Sequence, residues 1–181
     1  MKTKDYTEGK AATRFDTAKT IAADSEKWAL QAVSPKKDRR LSIQTAVCIN
    51  GQLAASDGQR VHIVDRYTKH TDGGLRPDGS YIPEVEREAE YGQFPNYLQV
   101  IPYHPQERPN LVWEIGPGTG KDATRETMIG EEKTRLSERC FKEATAGMKA
   151  PRFYMADEMN PLLIKDAETN RLAVIMPFRI M

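Results

Sequence analysis

The sequence predicts an α+β protein of antiparallel sheets, built from two β-α-β-β-β units and backed by two helices. Three observations predict it. Short apolar runs of strand length are bounded by Asn-Gly and Asp-Gly turns, two stretches carry apolar residues at helical spacing, and the same order of elements recurs in each half of the chain. At 181 residues the chain has material for one domain, read as 14–181 behind a polar, aperiodic N-terminal arm, 1–13. Hydrophobic content of 39%, with two Trp, seven Tyr and five Phe, supplies a core and excludes global disorder.

The elements follow in order. Residues 14–21 alternate as a short strand. Asp24 or Ser25 caps a helix whose Trp28, Ala29, Ala32 and Val33 share a face, and Pro35 stops it. Ser42–Cys48 reads as a strand, Asn50-Gly51 as a tight hairpin turn, Leu53–Ala55 as its return, Asp57-Gly58 as a second turn and Val61–Val64 as the next strand. Residues 66–92 read as turns and, over Pro83–Glu90, as a charged surface stretch. Insertion loops are expected at about 67–91 and 106–123. Thr124–Ile129 reads as a strand, and Glu131–Gly147 as a helix with Leu136, Cys140, Phe141, Ala144 and Met148 on one face. Arg152–Ala156, Leu162–Lys165 and Leu172–Ile180 are the closing strands.

Charge is balanced overall, 27 basic against 26 acidic residues, so composition gives no general argument for nucleic acid. It is uneven along the chain: residues 1–40 carry ten Lys/Arg against six Asp/Glu, and residues 41–105 carry five against eight. Cys48 and Cys140 lie in apolar patterns without metal or redox spacing, which reads as reduced core thiols. No apolar run reaches the length of a membrane span and the N-terminus is not a signal peptide, so a cytoplasmic protein is expected. His62, His70 and His104 lack the spacing of metal ligands or of a nucleophile–base pair; neither cofactor, metal nor catalysis is expected. Gly116–Lys121 (GPGTGK) imitates a phosphate loop, but the spacing is one residue short and Asp122 stands where a hydroxyl should hold Mg²⁺. A hairpin loop is the better reading, and a nucleotide-binding enzyme the weakest alternative.

Three segments carry more. Ser56-Asp57-Gly58-Gln59-Arg60-Val61, Phe94-Pro95-Asn96-Tyr97 and Val174-Ile175-Met176-Pro177-Phe178-Arg179 are each ordinary alone: a hairpin turn, a turn with an anchored aromatic, and an edge strand that tolerates proline. Jointly and in this order they resemble the bacterial β sliding clamp, the processivity factor of the replicative DNA polymerase. That family shows an ATDGHR-like turn, an FPDY-like linker and a VMPMR-like C-terminus. Over its last twenty residues the chain also resembles the clamp's closing hairpin.

The resemblance implies a DNA-clamp-like fold and a non-enzymatic role in DNA replication, as a reduced, single-domain or phage-type processivity-factor relative or a docking module. It implies one hydrophobic cleft that takes short linear peptides of polymerase or clamp-loader type proteins. Ser56, Gly58, Gln59, Arg60 and Val61 would form one wall, Pro95 and Val100 would lie beside them, and Val174, Ile175, Met176, Pro177, Phe178 and Arg179 would close the other side. Duplex DNA is a further expected partner if copies assemble into a ring. The candidate DNA-facing residues are Lys27, Lys36, Lys37, Arg39 and Arg40, with Arg135, Arg139, Lys142 and Lys149. On the second helix, however, four basic residues share a face with Glu131, Glu132, Glu138 and Glu143, which leaves no electrostatic footprint. The chain departs from the family in spacing: the DGQR and FPNY motifs stand closer together, and Gln59 and Gln99 replace the favoured His and Arg. An α+β interaction protein unrelated to replication is the alternative of another class.

Overall fold

The hairpin signals shape the first half of the fold. Asn50 and Gly51 both take positive φ, 51° and 72°, the paired left-handed conformation of a two-residue turn, and close β1 (Ala46–Ile49) onto β2 (Gln52–Ser56). At the next turn the Asp57 carboxylate accepts from the Gln59 and Arg60 amides at 2.9 and 3.1 Å, and Gly58 takes φ 85°, which returns the chain as β3 (Arg60–Val64). The computed structural model describes residues 23–103, 105–109, 111–119, 123–129 and 132–178.

Beyond β3 the chain adds β4 (Gly73–Leu75) and β5 (Tyr81–Ile82), then β6 (Glu114–Ile115), β7 (Thr124–Ile129) and β8 (Glu132–Ser137). It closes with β9 (Arg152–Tyr154), β10 (Leu162–Asp166) and β11 (Arg171–Ile175). Helical segments are α1 (23–30), α2 (Glu84–Tyr91) and α3 (Glu138–Thr145). Eight strands form one antiparallel sheet in the order β5-β4-β1-β2-β3-β11-β10-β9, and β6-β7-β8 form a second. The joint between the halves is the β3–β11 ladder, which runs from Val64 opposite Arg171 to Arg60 opposite Ile175. The α+β expectation of antiparallel sheets with helical backing describes this architecture.

Several boundaries differ from the sequence reading, each for a physical reason. The helix expected over Glu131–Gly147 is two elements: 132–137 alternates and pairs with β7 along its whole length, and Ser137 then caps α3 by accepting from the Cys140 amide at 3.3 Å. Arg135 is therefore on a strand, not on a helix. The stretch read as turns and charged surface, 66–92, contains β4, β5 and α2; its helix buries one side chain, Arg87, so no apolar stripe announced it. α1 gives way at 31–33 to turns bonded three residues back, short of Pro35. Residues 41–43 form a single 3₁₀ turn ahead of β1, where a strand from Ser42 was expected. The last strand ends at Ile175 rather than Ile180: Pro177 cannot donate to a ladder, and the chain crosses to the second sheet, where the Phe178 amide donates to the Arg135 carbonyl at 2.8 Å. The expected strand at 14–21 lies outside the described residues, as do Gly120 and Lys121 of the GPGTGK stretch, whose earlier residues follow β6.

Both faces of the large sheet are covered. On one, Trp28, Ala29 and Ala32 of the α1 region pack with Cys140, Phe141 and Ala144 of α3 against Leu53, Ala55, Leu162, Ile164, Ala173 and Ile175. On the other, Ala54, Val61, Ile63, Leu163 and Val174 meet Tyr97, Phe94, Val100 and Ile101 of the segment that follows α2. Burial on both sides explains why β3, β10 and β11 read as nearly continuous apolar runs.

Polar groups of β3 fasten the helices to the sheet. The Trp28 indole N–H donates to the carbonyls of Glu143 and Ala144, both at 3.1 Å, and so satisfies the open end of α3. Arg60, 3% exposed, donates to the Gln31 carbonyl at 2.6 Å and pairs with Asp57 and Glu143. His62 is fully buried, stacks on the Trp28 ring at 4.3 Å and donates from Nδ1 to the Trp28 carbonyl at 3.0 Å. A carbonyl can only accept, so Nδ1 carries a proton.

Burial, with Arg60 nearby, pushes the His62 pKa down from 6.5 to about 3. Below pH 6.5 the unfolded chain binds a proton that the folded chain refuses, so stability is lost as pH falls from 6.5 toward 3. The loss approaches ~1.4 kcal/mol per pH unit. The expected outcome is a urea midpoint that drops between pH 7 and pH 5, above the carboxylate range, with His62→Gln flattening that drop.

Candidate functional site

A groove of about 330 Å³ opens where β3, β11 and the 94–100 segment converge. Its apolar lining comes from Ile43, Val61, Phe94, Pro95, Val100, Val174 and Met176, and its polar edge from Arg40, Ser42, Ser56, Arg60 and Asn96. A smaller cavity of about 150 Å³ continues it along the C-terminal segment, lined by Gly58, Gln59, Ser137, Cys140, Ile175, Met176, Pro177 and Phe178. Gly58 and Met176 border both spaces, so the groove and the cavity are neighbours.

Local chemistry builds each wall. The Ser56 hydroxyl donates to the Arg60 carbonyl at 2.8 Å and accepts from the Gly58 amide at 3.1 Å, which holds the turn closed without ladder bonds. The Gln59 carbonyl accepts from the Met176 amide at 2.9 Å and so carries the β3–β11 pairing one step past Ile175. Asn96 caps the 3₁₀ turn Tyr97–Val100 through the Leu98 amide at 3.2 Å. That turn directs Tyr97 into the core, where its hydroxyl donates to the Gln52 side chain at 2.8 Å. Met176 and Phe178 are each 42% exposed, an uncovered apolar surface at the smaller cavity.

Of the residues the sequence singled out for a cleft, Ser56, Gly58, Arg60, Val61, Pro95, Val100, Val174 and Met176 line the groove. Gln59, Ile175, Pro177 and Phe178 line the adjoining cavity. Arg179 lies outside the described residues. Arg60 contributes little charge, because Asp57 and Glu143 neutralise it in the interior. Sequence reasoning missed Ile43, Ser42, Phe94, Asn96 and Tyr97 as lining residues. It also grouped Arg40 with DNA-facing residues, whereas the guanidinium borders the groove, donates to the Asp57 carbonyl at 3.1 Å and pairs with Asp38 at 2.8 Å. Those bonds from Arg40 hold the Asp38 carboxyl well below the ordinary carboxylate range.

The remaining basic candidates are dispersed. Lys27 is exposed on α1; Lys36, Lys37 and Arg39 are exposed ahead of the 3₁₀ turn at 41–43; Lys149 is exposed after α3. Arg135 pairs with Glu126 across the β7–β8 hairpin at 2.7 Å. On α3 the expected balance of four acids against four bases does not hold. Glu143 turns toward buried Arg60 and Glu138 is held by Arg125, while Arg139 is exposed and Lys142 reaches Glu138 at 2.8 Å. Among the described residues no cluster of three His, Cys, Asp or Glu side chains could hold a metal, and no helix is long and apolar enough to cross a membrane.

No protein-family model matches the chain, and no curated protein matches it. Solved structures do. The beta sliding clamp of Caulobacter crescentus superposes with a TM-score of 0.59 at 15% identity, over 91% of this chain and 64% of the clamp. The Bartonella birtlesii clamp, DNA polymerase III subunit beta bound to griselimycin, gives 0.58 at 15% over 90% and 65%. The Pseudomonas aeruginosa clamp gives 0.60 at 13% over 88% and 65%. The chain has a sliding-clamp-like fold and spans just under two thirds of the length of these clamps.

Gly58 is the position where the groove wall tolerates least. At φ 85° an L side chain is strained, and a Cβ there would lie 2.2 Å from Nη1 of Arg40. Gly58→Ala is expected to cost about 1 kcal/mol and displace Arg40, read as a lower urea midpoint with unchanged slope.

Proposed function

We propose that this protein is a non-enzymatic, clamp-like docking module of DNA replication, whose groove takes short linear peptides of polymerase or clamp-loader type proteins. The observation that carries the reading is convergence. Three segments far apart in the chain, 56–61, 94–100 and 174–178, meet around one largely apolar groove and the smaller cavity beside it. A groove of about 330 Å³ is large enough for side chains of a bound segment. Its methionine and aliphatic lining suits leucine and phenylalanine anchors of several partners. The Caulobacter clamp of the same fold has polyethylene glycol bound to its putative beta-motif tethering region, which supports an extended chain as occupant.

Fluorescence anisotropy with a labelled clamp-binding peptide bearing leucine and phenylalanine anchors is expected to show saturable binding. Met176→Ala removes the side chain shared by both spaces and should weaken binding about tenfold, roughly 1.4 kcal/mol. An absence of saturable binding to the unaltered protein removes the docking reading.

A further inference from the structure

Arg87 is a buried arginine that the docking reading does not use. It belongs to α2, carries a guanidinium and is 2% exposed. Among the described residues no carboxylate pairs with it. Burial pushes its pKa below the ordinary arginine value. Its partners are instead two backbone carbonyls that stand 50 residues apart: Nη2 donates to Ser42 and Nη1 to Gly92, both at 3.1 Å. The guanidinium also lies 5.5 Å from the centre of the Phe94 ring, within cation–π range. Ser42 and Phe94 both line the groove.

The neighbouring glycines fit this arrangement. A Cβ on Gly74 would lie 2.7 Å from Cδ of Arg87 and 2.5 Å from the Ala46 carbonyl, so only glycine lets the arginine stem cross β4. Gly92 ends α2 at φ 76°, presents its own carbonyl to Nη1 and turns the chain toward Phe94. A buried cation held by carbonyls and a ring is costly to place in a core. Its geometry ties together two lips that share no strand ladder, 41–43 and 92–100.

We propose that Arg87 is a positioning residue of the docking groove, and that the β4-β5-α2 segment is a brace that keeps both lips at a fixed separation before a partner arrives. The inference rests on the groove being a docking site. A braced groove binds without first ordering its walls, which removes part of the entropic cost of association.

The test uses the full chain and two variants, Arg87→Gln and Arg87→Lys, with Met155→Ala as a control of similar destabilisation in the helix-side core. Peptide affinity by anisotropy and amide hydrogen exchange of the unliganded protein are read together. Arg87→Gln is expected to raise the Kd about tenfold and accelerate exchange at 41–43 and 97–101 about tenfold, with Arg87→Lys intermediate because one ammonium cannot span both carbonyls. Met155→Ala should lower thermal stability without either effect. If the lips exchange no faster in Arg87→Gln than in Met155→Ala, the brace is overturned. If the lips loosen but the unaltered protein binds no peptide, the brace stands as a structural clip and the docking reading alone fails.

Discussion

The rest of the structure depends on the pairing of β3 with β11. These strands lie about 110 residues apart in the chain and exchange a ladder from Val64–Arg171 to Arg60–Ile175. Every other ladder of the large sheet is internal to one half: β5, β4, β1, β2 and β3 on one side, β11, β10 and β9 on the other. Without this ladder there are two small sheets, each with an open edge. With it there is one surface, on which α1 and α3 close one face and the 94–101 segment closes the other.

The same pairing concentrates buried charge. Arg60 opens β3, reaches the Gln31 carbonyl just after α1 and an acid on α3, and leaves its backbone in register with Ile175. His62, two pairs further along, stacks on Trp28. A buried arginine and a neutral imidazole are expensive unless their partners are in place, so these groups make the union of the halves strongly conditional on the helices being docked. The groove is the outward consequence: β3 supplies Val61, β11 supplies Val174, and the strands' continuation supplies the Gln59–Met176 bond that roofs the second cavity.

Much of this was legible in the sequence where the signal is local. Asn50-Gly51 demands left-handed backbone, and the chain turns there. β7 and β10 follow from strand-length runs between turns, and the apolar face of α3 from helical periodicity. Residues of 56–61, 94–100 and 174–178, which resemble one family's motifs in the same order, line the groove and the cavity beside it. What escaped was non-local. α2 has no apolar stripe because its inward residue is an arginine whose carbonyl partners come from elsewhere in the chain. The boundary between β8 and α3 was hidden because Leu136 fits both a strand alternation and a helical stripe, and Ser137 decides between them as a cap. Arg40 carries no sign in the sequence that it folds back over Gly58.

The central claim, that two halves form one cooperative sheet through β3 and β11, is tested most directly by native-state hydrogen exchange in increasing denaturant. The account predicts that amides of 60–64 and 171–175 exchange through global unfolding alone, with one common opening free energy and one denaturant slope. Separate openings, with the 46–64 strands losing protection at a different denaturant concentration from the 152–175 strands, would contradict it.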